Sequence, residues 1–309
     1  MKIAIIGAGF TGLALCWHLL QKQVARIVLF DTNGIGGGAS GLATGLLHPY
    51  PGEQVRRSRF ADEGLQATNA LLSVAEEALQ KEVVSRKGIL RRAMDASQAA
   101  LLAERGALHG DIEQLDASTF LITSGMTVYA PLYLEGLWQA CAKKGAQLEK
   151  RSIASLQELD QYDCIIIAAG AGIKAFPECA ALSVNYIKGQ VLSYSLSGLE
   201  KSIIAKGYIT RDVSGTRIHA GATYEREFVS ANPDRTRAEE LLLPHFKKHF
   251  PELDGLQAID CRAAVRVVRK GDYFPLIQRI NPKTWAVTGF GSRGLLYHAY
   301  LAEQLSALW

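Results

Sequence analysis

Long apolar runs, paired cysteines and a strong charge of either sign are all missing from this chain of 309 residues. The most apolar stretch, "MKIAIIGAGFTGLALCWHLL", is interrupted by glycines at 7, 9 and 12 and falls short of a membrane span or a signal-peptide core. The expectation is therefore a soluble, cytoplasmic protein with no membrane partner. The five cysteines, at 16, 141, 164, 179 and 261, form no CxxC and no ligand-like spacing. That argues against a disulfide framework or a metal site and for reduced thiols. A net charge of +4 excludes a strongly basic nucleic-acid binder of the histone kind but tolerates a polyanionic partner. No internal repeat or low-complexity tract breaks the chain, and the sequence leaves the oligomeric state open.

What the chain does have is glycine in particular places. Residues 2–6, "KIAII", read as a buried parallel strand. Gly7-Ala8-Gly9-Phe10-Thr11-Gly12 follows, then a helical stretch "LALCWHLLQKQ", then a second strand "RIVLFD" ending in Asp31, 19 residues after Gly12. A GxGxxG alone is weak, but strand, motif, helix, strand and acid in register form the dinucleotide fingerprint. Gly7 allows the tight turn, Gly9 lets a pyrophosphate approach the backbone, and Gly12 lets the helix pack on the strand. Helix N–H groups and the dipole then face the phosphates, and Asp31 is placed to accept from ribose hydroxyls.

The continuation separates FAD from NAD. Residues 31–52, "DTNGIGGGASGLATGLLHPYPG", hold seven glycines, where a plain NAD domain would run on into another helix. Such a loop can lay backbone N–H groups along a long, flat cofactor. Beyond it, "RFADEGLQATNALLSVAEEALQ" has helical periodicity, "GILRRAM" and "GMTVYA" read as strands, and 96–118 reads as helical or irregular. "PLYLEGLWQACAKKGAQ" is an amphipathic helix, and "CIIIAAGAG" is a second buried parallel strand returning to the nucleotide sheet. From 184 to 280, "NYIKGQVLSYSL", "SIIAKGYITRD", "TRIHAGATYE", "AIDCRAAVRVV" and "YFPLIQRI" alternate with period two, interrupted by a helix at 236–250. The last element pair is a strand at "TWAV" and a helix after the glycine loop "GFGSRGL".

The expected architecture is α/β: a Rossmann-like FAD-binding domain with an inserted, mainly antiparallel-sheet substrate domain. The expected segments are 1–82, 131–183 and 283–309 for the first, and 83–130 and 184–282 for the second.

Together, "GAGFTG", "GASGLATG", "KGQV", "IIIAAGAG", "GYIT", "HAGATYE", "AAVRVV" and "GFGSRGL" resemble the D-amino-acid-oxidase-like family of FAD-dependent amine oxidoreductases, glycine oxidase among them, over nearly the whole chain. Within it, "LHPY", "GATY", "VR" and "GSRGL" are most similar to the FAD-dependent domain of bifunctional tRNA 5-methylaminomethyl-2-thiouridine biosynthesis proteins, without the methyltransferase domain. The resemblance implies non-covalent FAD held by Gly7, Ala8, Gly9, Thr11, Gly12, Asp31 and Thr32, and by Ala39, Ser40, Gly41, Thr44 and Gly45. It adds Ala169, Gly170, Gly291, Ser292, Arg293, Gly294 and Leu295. The "GFGSRGL" loop would pass the flavin, with the final helix aiming its positive end at the ring.

The same resemblance implies a substrate carboxylate held by Arg266, with Arg293 as second candidate, a pocket hydroxyl from Tyr208, and His48 near the flavin. Two substrate classes stay open. One is the carboxymethylaminomethyl group of a tRNA wobble uridine, oxidised to aminomethyl-uridine with release of glyoxylate. The other is a free amino acid such as glycine, sarcosine or a D-amino acid. The electron acceptor is also open. For tRNA, the candidate basic clusters are Arg56, Arg57 and Arg59; Lys87, Arg91 and Arg92; Lys247 and Lys248; and Arg269 and Lys270.

Overall fold

The computed structural model describes residues 1–22 and 26–309. Six α-helices are described: α1 Phe10–Gln21, α2 Ala61–Leu79, α3 Ala96–His109, α4 Ala130–Lys143, α5 Arg235–His249 and α6 Gly294–Ser306. None is long and apolar enough to cross a membrane.

The first sheet has six strands, in the order Leu276–Asn281, Thr284–Thr288, Cys164–Ile167, Lys2–Ile6, Arg26–Phe30, Gln147–Glu149. All pairs are parallel except the edge hairpin of the first two. The central strand is buried on both faces, which is why it reads as a continuous apolar run. Ile3 and Ile5 pack with residues of α1, α4 and α6, while Ala4 and Ile6 pack with Ile173 and Phe176 on the other side.

The second sheet has eight strands, in the order Asp260–Arg269, Val184–Ser195, Arg217–Gly221, Gly207–Arg211, Ser202–Ala205, Ile89–Arg92, Thr119–Ile122, Ile112–Gln114. Its pairs are antiparallel apart from Ser202–Ala205 against Ile89–Arg92. Period-two alternation divides its faces. Leu192, Tyr194, Ile209, Ile218 and Ala220 bury against Ala238, Leu242 and Phe246 of α5. The opposite face carries Gly189, Ser193, Tyr208, His219, Arg262 and Arg266, as the register of the strands requires. A small third sheet pairs Leu46–Leu47 and Val84–Ser85 with Met126–Val128.

One expectation is corrected and another made specific. "YFPLIQRI" does not join the antiparallel sheet: Leu276–Asn281 is the edge strand of the six-stranded sheet, hairpinned onto Thr284–Thr288. Only Pro282 and Lys283 separate the two strands, too short a link to reach another sheet. The segment 96–118 contains a full helix, α3, capped by the Asp95 side chain accepting from the Gln98 N–H, and a strand that extends the large sheet.

Candidate active site

The N-terminal turn has the geometry its glycines imply. Gly7 sits at φ 109°, and its N–H donates to the Phe30 carbonyl at 2.7 Å. A Cβ at Gly12 would lie 1.8 Å from the Gly7 carbonyl oxygen, and one at Gly7 would lie 2.4 Å from that of Ala168. The helix start therefore packs directly on the turn and on the strand end at Ala168 and Ala169. Gly9 is the N-cap of α1 and brings no side chain to it. Ser40 Oγ instead accepts from the Phe10 N–H at 3.1 Å, which brings the 39–45 loop to the helix terminus. The early amides of α1, Thr11 and Gly12 among them, belong to the class that helix geometry leaves without intrahelical partners. A positive helix end, glycine backbone and one rotatable hydroxyl fit a pyrophosphate.

Asp31 does more than the sequence suggested. Its Oδ2 accepts from the Ala8 N–H at 2.9 Å, and its Oδ1 accepts from the N–H groups of Asn33 and Gly34 at 2.9 and 3.0 Å. It braces the glycine turn and the loop beyond Thr32, and lone-pair capacity remains for a ribose hydroxyl.

The last glycine loop ties the two sheets together. The Gly291 N–H donates to the Val267 carbonyl at 2.7 Å, and Phe290 bridges Val268. The loop "GFGSRGL" thus lies against the edge strand that carries Arg266, with Ser292, Arg293, Gly294 and Leu295 leading into α6. Inside α6, His298 is fully buried. Its Nε2 meets Tyr133 Oη at 2.6 Å, and its Nδ1 faces the Gly294 and Leu295 carbonyls at 3.0 and 3.1 Å. Phe10 packs on both rings. The ends of α1 and α6 that face the site are therefore locked together through one imidazole. Burial pushes that imidazole down to about 4.

Arg266 is half-buried on the polar face of the eight-stranded sheet. Its Nη2 donates to the Thr223 carbonyl at 3.3 Å, and among the described residues no carboxylate forms an ion pair with it. A Cβ at Gly189 would stand 2.7 Å from Nη2, so the glycine of "KGQV" is the floor on which the guanidinium lies. Tyr208 lies across the face opposite Gly221, with Thr44 near its hydroxyl, and burial raises that hydroxyl's pKa.

His48 is half-buried, with Nδ1 accepting the Tyr50 N–H at 3.3 Å. Burial and the positive fields of Arg91 and Arg293 push it down to about 3, so it is a neutral ring whose Nε2–H can only donate. Arg293 Nη1 lies 3.4 Å from the Tyr273 carbonyl and its Cζ 5.0 Å from the Tyr273 ring centroid.

A polar neighbour group on the same face was not among the expected site residues. Ser193 Oγ lies 3.0 Å from His219 Nδ1, and the Arg262 guanidinium lies 3.0 and 3.2 Å from the two ring nitrogens. Burial and then the charge of Arg262 hold His219 down to about 4. Period-two spacing from Arg266 back to Arg262 is the signal that could have found it.

The basic clusters fare unevenly. Arg91 is buried and donates to the Gly52 carbonyl, and burial lowers it to about 10. Arg92 is bound by Glu252, and Arg57 by Asp62. Arg59 and Arg269 share Asp272 at 3.6 Å each. Arg56, Lys87, Lys247, Lys248 and Lys270 are exposed. All five cysteines are free and four of them are buried; no cluster of metal-binding side chains occurs among the described residues.

A dinucleotide turn at the head of a parallel sheet, with a glycine loop tied to the edge strand of a second sheet, places the chain among dinucleotide-binding α/β proteins. The family model for FAD dependent oxidoreductases (DAO) matches residues 2–308, and the chain belongs to that family. The tRNA 5-methylaminomethyl-2-thiouridine biosynthesis bifunctional protein MnmC of Maricaulis maris is 24% identical over 326 residues, 99% of this chain and 51% of that protein. MnmC of Polaromonas sp. is 25% identical over 368 residues, 98% of this chain and 56% of that protein. The chain thus spans about half the length of the curated relatives it matches. Among solved structures, glycine oxidase from Geobacillus kaustophilus superposes with a TM-score of 0.76 at 22% identity, covering 99% of this chain and 94% of that one. Iminodiacetate oxidase (IdaA) from Chelativorans sp. BNC1 gives 0.80 at 19% identity, covering 99% and 94%. These likenesses carry the fold: an α/β chain with a mainly antiparallel second sheet.

Proposed function

We propose that the chain oxidises a secondary amine bearing an acetate arm: the carboxymethylaminomethyl group of a tRNA wobble uridine. FAD, when bound, supplies the two-electron acceptor; Gly7, Ala8, Gly9, Thr11, Gly12, Asp31 and Ser40 would hold its dinucleotide part. The observation that carries the reading is Arg266, a half-buried guanidinium on a glycine floor with no carboxylate partner among the described residues. A carboxylate supplied by the substrate completes it, and the planar fork donates to both oxygens at once. Each such charge-assisted bond contributes about 1.5–3 kcal/mol.

Tyr208, kept protonated by burial, remains a hydroxyl donor beside that carboxylate. His48, neutral at all working pH, donates and orients and does not shuttle protons. The acetate methylene loses two electrons to give an imine. Water adds to the imine carbon, and the C–N bond breaks to leave aminomethyl-uridine and glyoxylate. The MnmC names of the curated relatives support the tRNA substrate.

The second reading is a free glycine, sarcosine or D-amino acid oxidase, since Arg266 and Tyr208 would orient any α-amino carboxylate equally. Anaerobic bleaching of flavin absorbance separates the two. Bleaching by tRNA carrying carboxymethylaminomethyl-uridine, with glyoxylate released, is the expected result. Bleaching by free amino acids alone would replace it with the second reading.

A further inference from the structure

Large aromatic side chains stand in the open beside Arg266, Arg293 and Arg59. Tyr224 is 52% exposed, Tyr273 is 61% exposed and Phe60 is 41% exposed. Each lies within reach of an arginine. Arg226 and Arg266 stand 5.7 and 6.0 Å from the Tyr224 ring centroid, and Arg293 stands 5.0 Å from that of Tyr273. Arg59 lies 5.5 Å from Phe60 and 4.3 Å from Phe274, which follows Tyr273 in the chain. The two halves meet where Val268, two residues from Arg266, pairs with Phe290, three residues from Arg293. Arginine and aromatic are thus paired on both segments, which join into one strip at the Val268–Phe290 bridge.

We propose that this strip is the seat for unpaired bases of an RNA loop that presents the reacting nucleotide to Arg266, an inference that rests on the tRNA reading above. Unstacked bases are recognised by aromatic faces and guanidinium planes, which a duplex cannot offer its bases to. Charge alone does not make the strip, because Asp272 sits 3.6 Å from both Arg59 and Arg269 and takes up part of their field. The exposed lysines Lys247 and Lys248 lie on α5, whose buried face packs on the sheet side away from Arg266, and they offer phosphate contacts without aromatics. A free amino acid has nothing to lay on Tyr224 or Tyr273, whereas the nucleotides on either side of a wobble uridine do.

The test measures binding of the FAD-loaded protein to a fluorescein-labelled, unmodified anticodon stem-loop RNA and to an RNA duplex of equal length. Tyr224→Ala and Tyr273→Ala are each expected to raise the Kd for the loop about tenfold, Tyr→Phe at either site to restore it, and duplex binding to be weaker and unmoved. Flavin absorbance and melting temperature report that the variants remain folded. Alanine variants that bind the loop as tightly as the parent, or equal affinity for loop and duplex, would overturn the proposal. Oxidation of modified tRNA is followed in parallel. Tyrosine-dependent loop binding without oxidation sinks the reaction but upholds the surface. Oxidation with tyrosine-independent binding does the reverse.

Discussion

Arg266→Ala should lower kcat/KM by about a hundredfold to a thousandfold while FAD stays bound and the fold holds. Among the described residues the guanidinium makes one hydrogen bond, a long one to the Thr223 carbonyl, so its loss should cost at most about 1 kcal/mol of stability. The substrate would lose two charge-assisted bonds together worth about 3–6 kcal/mol; Arg262, on the same strand face, would compensate for part of it. A remaining loss of about 3–4 kcal/mol corresponds to the stated range. Gly189→Ala is the companion that leaves the charge in place. Its Cβ would meet Nη2 at 2.7 Å, so the flexible side chain must move off its floor, and kcat/KM should fall about tenfold with little change in melting temperature. Anaerobic stopped-flow reduction with each substrate gives the rates, and absorbance gives bound FAD. Loss of FAD in Arg266→Ala, or unchanged kcat/KM in both variants, would refute the carboxylate assignment.

Gly12→Ala should yield little folded, FAD-loaded protein, because its Cβ falls 1.8 Å from a backbone oxygen that cannot yield; flavin content after purification checks it. Stability should fall as pH drops from about 6.5 toward 4. In that window unfolded His298 binds a proton that the buried, folded imidazole, lowered to about 4, refuses. The slope is up to about 1.4 kcal/mol per pH unit for that residue, and its contribution is fully present above about 6.5. Urea titrations of His298→Gln against the parent at pH 7 and 5 should show a smaller acid loss in the variant; equal losses would remove His298 from the account. Tyr208→Phe, which removes a buried hydroxyl from the polar face, should leave the melting temperature nearly unchanged and lower kcat/KM more for the amine with the larger N-substituent, measured by the same reduction assay.

The elements legible in the sequence were those with a local cause. The strand at 2–6, the glycine turn and the helix that follows are written in adjacent residues, as is the alternation that gives the polar sheet face. "YFPLIQRI" misled because alternation reports a half-buried strand and not its sheet; a two-residue hairpin decided that. Arg91 misled because a guanidinium in "LRR" reads the same whether it faces solvent or caps the Gly52 carbonyl inside the protein.

The sequence by itself determined the dinucleotide turn, the two kinds of sheet and the arginine on the last long strand, since steric rules for glycine and period-two burial act within a few residues. Only the tertiary structure decided that Asp31 braces Ala8, that His298 joins α6 to α4 through Tyr133, that Gly189 lies under Arg266 and that Arg293 lies beside Tyr273. Those contacts join residues far apart in the chain, and their partners are chosen by how the two sheets close on one another.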